Sequence, residues 1–500
     1  MTVTSAPLRS TPRLNERMPT GIEGFDALLA GGLPRNHTTL LVGGPGCGKT
    51  LFALQSLVMG AREHAEPGIF VAFEESAKNL MDNAATLGWD LGKLKKSLYF
   101  LDARLPHAHV RGGEFDLLGL LTAVGAKAKA MGATRVVFDG IDRLLSLLAD
   151  PLAERREMGR LSDWLSDQGL TGIITCKTHD GSVGTLDRTA YLQSLADCVV
   201  TLQNKLVGSR PVRLLRITKC RGQAHVSGEV PFAITHTGVK VISFHPEKRE
   251  RATSQRVSSG VPALDAMLSG GHYRGSSVLV SGSPGTAKST VAGMFIEAAA
   301  RRREPSMYVA FDEGAGQVVR NLAAVGVRLA PYVKSGVLQV VSERKLEKNP
   351  VEHVAQIIEL IETHDVQCLV LDPISALAGS GVDAMAEELV VRLLDFASSR
   401  GVTVLCTCTR GSSLLGSGDG LMEESAAGVS SIADTWIHLT HVVQQGERRR
   451  ALTIVKARGI GHSNQVRELL LSRRGVALGE LTEPFEPVPE VAVSMRRGRR

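Results

Sequence analysis

Gly43-Gly44-Pro45-Gly46-Cys47-Gly48-Lys49-Thr50 and Gly282-Ser283-Pro284-Gly285-Thr286-Ala287-Lys288-Ser289 decide the fold of this 500-residue chain. They stand 239 residues apart. Each follows a short apolar run (Thr39-Leu40-Leu41-Val42 and Val278-Leu279-Val280) and precedes a helix-compatible stretch. Strand, glycine-rich loop and helix in that order make a P-loop. Successive backbone N–H groups and a helix N-terminus surround phosphate oxygens. The lysine reaches the outer phosphates, and the Thr or Ser hydroxyl ligates Mg²⁺. Two sites for ATP and Mg²⁺ are therefore expected, with Lys49 and Thr50 in one and Lys288 and Ser289 in the other.

The repetition extends far beyond the loops. Thr20-Gly21-Ile22-Glu23-Gly24-Phe25-Asp26 matches Ser259-Gly260-Val261-Pro262-Ala263-Leu264-Asp265 at the same offset. Glu75 is in step with Glu313, Asp139 with Asp372, and Lys219, Arg221 and His225 with Lys456, Arg458 and His462. A duplication with small insertions explains so many charged positions in register; two copies of this length are not a solenoid. Apolar runs of strand length alternate with helix-like segments, which predicts an α/β unit with a mostly parallel sheet covered by helices, twice. Val212 to Lys219 and Leu452 to Lys456 are expected to pair antiparallel instead. The predicted layout is a flexible N-terminus over 1–16, a first domain over 17–245, a linker over 246–255, a second domain over 256–482 and a flexible basic tail over 483–500.

The hydrophobic fraction of 43% and charged fraction of 22% suit soluble globular domains. Net charge is +7, but four of those positive charges are Arg496, Arg497, Arg499 and Arg500. The body is thus closer to neutral, and aromatics make up only 4% of residues. Both facts argue against a nucleic-acid surface. Seven cysteines are scattered without CxxC spacing, so no zinc site or disulfide framework is expected. With no long apolar span and no signal peptide, the expectation is a cytoplasmic protein away from membranes.

Arg135-Val136-Val137-Phe138-Asp139 and Cys368-Leu369-Val370-Leu371-Asp372 each end an apolar run in a carboxylate. At the carboxyl end of a parallel strand such a group stands beside the P-loop and orients Mg²⁺. Phe73-Glu74-Glu75 and Phe311-Asp312-Glu313 place two acids where one can take a proton and the other hold it or the metal. The plainer alternative is that one acid only caps the next helix. Lys219 and Arg221, like Lys456 and Arg458, stand two apart on a strand and so share a face. That arrangement fits a clamp on a triphosphate, plausible across a subunit boundary; a solvated strand face is the alternative.

These motifs together resemble the KaiC family of clock ATPases, over roughly residues 17 to 480. Gly228-Glu229-Val230-Pro231-Phe232 and Asn83-Ala84-Ala85-Thr86-Leu87-Gly88-Trp89-Asp90 add to the likeness. The resemblance implies two tandem RecA-like domains in a homo-hexameric double ring, with ATP between subunits. It implies catalytic Glu74 and Glu75 in the first ring and a serine/threonine autokinase in the second, with Glu313 as base and Asp312 aiding Thr50, Ser289, Asp139 and Asp372 as a metal-site residue. It also implies ATP contacts from Gly44, Pro45, Gly46, Cys47, Gly48 and Thr86 in the first domain, with Trp89 nearby. In the second domain it adds Pro284, Gly285, Thr286, Ala287 and Thr290. Lys219, Cys220, Arg221, Gln223 and His225, with Arg450, Lys456, Ala457, Arg458, Ile460 and His462, would complete the nucleotide sites. Ser430 and Ser431 fit the phosphoacceptor pair ahead of Ile432-Ala433-Asp434-Thr435, with Ser425 a third candidate.

Four departures stand out. Ala287 replaces a P-loop glycine, Asp312 a glutamate and Ser431 a threonine, and the tail after Pro484 does not resemble the clock protein's regulatory tail. A role other than timekeeping follows as an expectation, with any signalling partner engaging the tail in its own way. Two other classes compete with the enzyme reading: a DNA-acting recombinase or translocase, and an ATP-assembled signalling scaffold with an idle second domain.

Overall fold

The computed structural model describes residues 16–104, 117–146, 148, 151–178, 188–207, 210–243, 253–343, 349–377, 383–409, 433–481 and 486–487. The chain divides into two compact units, Met1–His245 and Pro246–Arg500. In the first, six parallel strands run in the order Leu98–Asp102, Gly68–Ala72, Arg135–Asp139, Thr171–Lys177, Thr38–Gly43 and Cys198–Val207. Arg210–Cys220, Val230–Thr235 and Gly238–Val241 then continue the sheet antiparallel.

The second unit repeats this plan. Leu338–Ser342, Ser306–Ala310, Cys368–Asp372, Thr403–Thr409, Ser277–Gly282 and Thr435–Gln444 are parallel. Glu447–Ala457, Arg467–Ser472 and Gly475–Glu480 follow antiparallel. The two strands expected to be antiparallel are therefore so.

The central strands are buried along their whole length, as a sheet covered on both faces requires. Alternation sorts their side chains to the two faces. Leu41, Phe70, Val137, Ile173 and Val200 pack on one side, with Phe52, Leu54 and Leu57 of helix Lys49–Glu63. Leu40, Val42, Ile69, Val71, Val136, Phe138 and Ile174 pack on the other. The duplicated segments before the P-loops are turn braces. Asp26 accepts from the Thr20 amide at 2.9 Å and from its hydroxyl at 2.6 Å, and Asp265 accepts from the Ser259 amide at 2.7 Å.

The tail differs from expectation at one point: Glu486–Pro487 pairs antiparallel with Val442 and Val443. Strand Thr435–Gln444 outruns its neighbour Ser277–Gly282, whose pairing ends at Leu439, so its far end offers an unpaired edge for a returning segment.

Candidate active sites

Gly43, Ala72, Asp139 and Lys177 end neighbouring parallel strands, so the chemistry-bearing residues that follow them gather at one sheet edge. Lys49 opens its helix and turns back over the loop, donating to the carbonyls of Gly43 at 2.8 Å and Gly44 at 2.9 Å. Lys288 does the same to Gly282 at 2.7 Å and Ser283 at 2.8 Å. Each ammonium thus sits in the concavity of its own loop, where phosphate oxygens of a nucleotide would replace the carbonyls as partners.

Both loops need a left-handed residue ahead of the lysine. Gly48 takes φ 99° and ψ 16°, and Ala287 takes φ 77° and ψ 28°. Alanine has moved toward the one left-handed region an L-residue can occupy. The second loop therefore keeps its fold without the glycine, at a cost of about 1 kcal/mol.

In the first unit the Thr50 hydroxyl stands 3.1 Å from both oxygens of Asp139, and Thr175 donates to Asp139 at 2.7 Å. Burial pushes the Asp139 carboxyl up to about 6; the two hydroxyls oppose this, and the charges of Glu74 and Glu75 add to it. Glu74 lies against Gly140, where a Cβ would come within 2.5 Å of its Cγ. The Asp139 carboxylate and the Thr50 hydroxyl together are hard oxygen donors of the kind that suits Mg²⁺. Among the described residues no three His, Cys, Asp or Glu side chains are grouped to hold a metal by themselves.

The two acids of the first pair have different partners. Glu74 accepts from Lys177, with Arg143 at 3.7 Å, whereas Glu75 faces the amide of Asn83 at 3.5 Å. Glu313 accepts from Asn321 at 2.9 Å. Neither acid caps the following helix. Ser76 caps the first, accepting from the Asn79 amide at 3.1 Å, and Gln317 folds back to the Gly314 amide at 2.9 Å in the second.

The cluster around the corresponding aspartate of the second unit is built differently. Asp372 accepts from Thr407 and from Tyr308, a residue 1% exposed whose counterpart in the first unit is Phe70. A phenol thus contacts the second aspartate, where the P-loop Thr50 contacts Asp139 directly. Arg450 reaches the P-loop of its own unit, donating to the Gly285 carbonyl at 3.0 Å.

Other expected contacts lie elsewhere. Lys219 donates to the carbonyls of Gln193, Ser194 and Ala196, and Arg221 to Ser194 at 2.7 Å and to Asp197 at 3.2 Å. The pair does converge, but on the last turn of helix Arg188–Leu195 and the two residues after it, in the same unit. Arg458 lies 4.0 Å from Asp434. Gln223 donates to the Leu29 carbonyl, and His225 Nδ1 is 3.5 Å from the Gln223 carbonyl. Thr86 bonds back to the Asn83 carbonyl at 2.7 Å. Ala457 pairs with Thr435 in the sheet. Cys47, Thr286 and Thr290 are buried beneath or behind their loops. Ile460 is 8% exposed and Trp89 is 3% exposed, the indole donating to the Thr237 carbonyl at 3.2 Å. Both are packing residues within this chain, since large apolar groups gain most by leaving water. Ser425, Ser430 and Ser431 lie outside the described residues.

Sequence reasoning missed Thr175, Thr407, Lys177, Arg143, Tyr308 and the role of Asn83 and Asn321. Thr175 with Thr407 and Asn83 with Asn321 repeat in register, so the duplication itself was a usable signal. Tyr308 breaks the repeat and had none.

A family model described as "ATPase: KaiC" matches residues 18–245 and again 257–483. The circadian clock protein KaiC2 of a Synechocystis species is 39% identical over 473 residues, covering 93% of this chain and 81% of the relative. The circadian clock oscillator protein KaiC of Parasynechococcus marenigrum is 32% identical over 483 residues, covering 96% and 93%. That of Thermostichus vulcanus is 32% identical over 488 residues, covering 97% and 93%.

Proposed function

Since the chain belongs to the KaiC family of ATPases, we propose that its first unit is a Mg²⁺-dependent ATP hydrolase and its second a serine autokinase, in a homo-hexamer with ATP between subunits. The observation that carries this reading is the repeated grouping of a P-loop lysine, a hydroxyl, an aspartate and two acids at one sheet edge. Bound Mg²⁺ would neutralise charge on the outer phosphate oxygens. Thr50 with Asp139 would hold it in one site, and Ser289 with Asp372, aided by Asp312, in the other. Lys49 and Lys288 bind the outer phosphates.

Glu75 takes a proton from the attacking water, and Glu313 takes one from the hydroxyl of Ser430 or Ser431 as its oxygen bonds the γ-phosphorus and ADP leaves. Asn83 and Asn321 hold those bases, and Lys177 holds Glu74 beside them. Lys219, Arg221 and His225, with Lys456, Arg458 and His462, face a neighbour's nucleotide once subunits meet. The same reading makes the protein a cytoplasmic signalling component whose partner engages the tail after 482. A scaffold reading, with an idle second unit, draws support from the left-handed Ala287.

The test is incubation of the full chain with Mg²⁺ and γ-labelled ATP, mapping label by mass spectrometry while released phosphate is counted. Label on Ser430 or Ser431, absent from Glu313→Gln, is expected. Phosphate release with no label on either serine would replace the kinase reading with the scaffold.

A further inference from the structure

Cys198 opens the strand Cys198–Val207, Cys220 closes the strand Arg210–Cys220, and the two face each other as Cα partners in the antiparallel ladder. The Arg221 amide donates to the Asp197 carbonyl at 2.9 Å, immediately beside the pair. That bond flanks a non-hydrogen-bonded position, where facing Cα atoms approach to about 4.5 Å and side chains are closest. A disulfide spans Cα separations of about 4.4 to 6.8 Å, a range that includes the spacing of such a position. Both are free cysteines. The second unit has Thr435 opposite Ala457 at this place, so the thiol pair belongs to the first unit alone.

The two sulfurs differ in the way an oxidation site needs. Cys198 is fully buried and Cys220 is 8% exposed. The neighbouring Cys198 thiol holds the Cys220 thiol below its ordinary range, helped by Arg17, while the Cys220 thiol and burial push Cys198 up. A thiolate with some access to solvent is the form that attacks a peroxide.

We propose that Cys198 and Cys220 are a redox modification site, which a peroxide converts into a cross-strand disulfide. The Cys220 thiolate displaces hydroxide from hydrogen peroxide and becomes a sulfenic acid. The Cys198 sulfur then attacks that sulfur, its proton and the sulfenic hydroxyl leaving as water. One peroxide is reduced to two waters as two thiols become one disulfide. Cys220 stands between Lys219 and Arg221, both bonded to the segment from Gln193 to Asp197 that leads into Cys198. The bond therefore fixes these two cations against that segment. The consequence for hydrolysis rests on their proposed place at a nucleotide; the cross-link itself does not.

The full chain is reduced, freed of reductant, treated with hydrogen peroxide and quenched with catalase. It is then blocked with iodoacetamide in denaturant and digested without reductant. A peptide pair joined through Cys198 and Cys220, two hydrogens lighter than the sum of its parts and separated by dithiothreitol, is expected. Cys198→Thr, which copies the second unit, should yield no such pair. Recovery of both cysteines alkylated after peroxide would overturn the proposal. So would Cys220 as a sulfinic acid beside an alkylated Cys198, or a disulfide from Cys220 to another chain. Phosphate release is read on the same samples. Release that falls severalfold on oxidation and recovers with dithiothreitol, but not in Cys198→Thr, ties the bond to the cations. An intact cross-link with unchanged release leaves the modification site standing and removes Lys219 and Arg221 from the nucleotide reading.

Discussion

Gly48 and Ala287 occupy the same P-loop place at φ 99° and 77°. The difference is small in angle and large in consequence. A Cβ on Gly48 would meet the Ile234 Cδ1 at 3.1 Å as well as lie outside the region open to L-residues. Gly48→Ala should cost the first unit about 1–2 kcal/mol, measured as a lower urea midpoint, with weaker ATP binding alongside. An unchanged midpoint would mean the loop relaxes there as it has at Ala287.

His272 is a second residue-scale departure: it is fully buried, both ring nitrogens lack hydrogen-bond partners among the described residues, and the first unit has Leu33 in its place. Burial pulls it down to about 4, with Asp265 opposing and Arg256 assisting. Between pH 6.5 and 4 the unfolded chain takes up a proton that the folded one refuses. Stability is therefore lost as pH falls through that window, by up to about 3 kcal/mol. Urea unfolding of His272→Leu should show a more stable second unit and remove this part of the pH dependence. A native-like pH slope in that variant would show that other groups carry it.

At the scale of elements, the strands are pinned at their starts and do their chemistry at their ends. Arg135 begins the strand that ends at Asp139. Its side chain is 1% exposed, bonded to Glu66 at 2.6 Å and to the Ser56 carbonyl at 2.9 Å. Arg35 meets the same Glu66 at 2.6 Å. Arg274 and Glu304 repeat the Arg35 pairing in the second unit, with Cys368 where Arg135 would be. Removing Glu66 strands a buried guanidinium, which costs about 3–5 kcal/mol. Glu66→Ala should thus lower the first unit's unfolding midpoint more than Glu304→Ala lowers the second's, since Arg274 is the more exposed cation. Denaturant titration with separate probes in each unit checks this.

For the whole molecule, one plan has been kept twice while its sites have diverged. Lys177 beside Glu74 becomes Thr409, Phe70 becomes Tyr308, and Gly48 becomes Ala287. The halves are accordingly expected to fail separately. Lys49→Ala should abolish most phosphate release, while Lys288→Ala should keep most release and lose label from Ser430 and Ser431. Equal loss of both readouts in both variants would mean the two sites work as one.

The glycine-rich loops, the aspartates after apolar runs and the repeat offset are local or periodic, so the sequence by itself determined the two α/β units, their parallel sheets and the family. It also located Lys49, Thr50, Asp139, Glu75 and their counterparts, because a P-loop and the end of a strand are defined by neighbours in the chain. Which side chains meet across the sheet is not written in that way. Tyr308 reaches Asp372 across 64 positions, Lys177 reaches Glu74 across 103, and Cys198 faces Cys220 through a strand register. Trp89 and Ile460 carry motif positions yet serve the core, since burial depends on what packs over them. Only the tertiary structure decided those pairings, because they rest on contacts between strands that the chain brings together only when both faces of the sheet are covered.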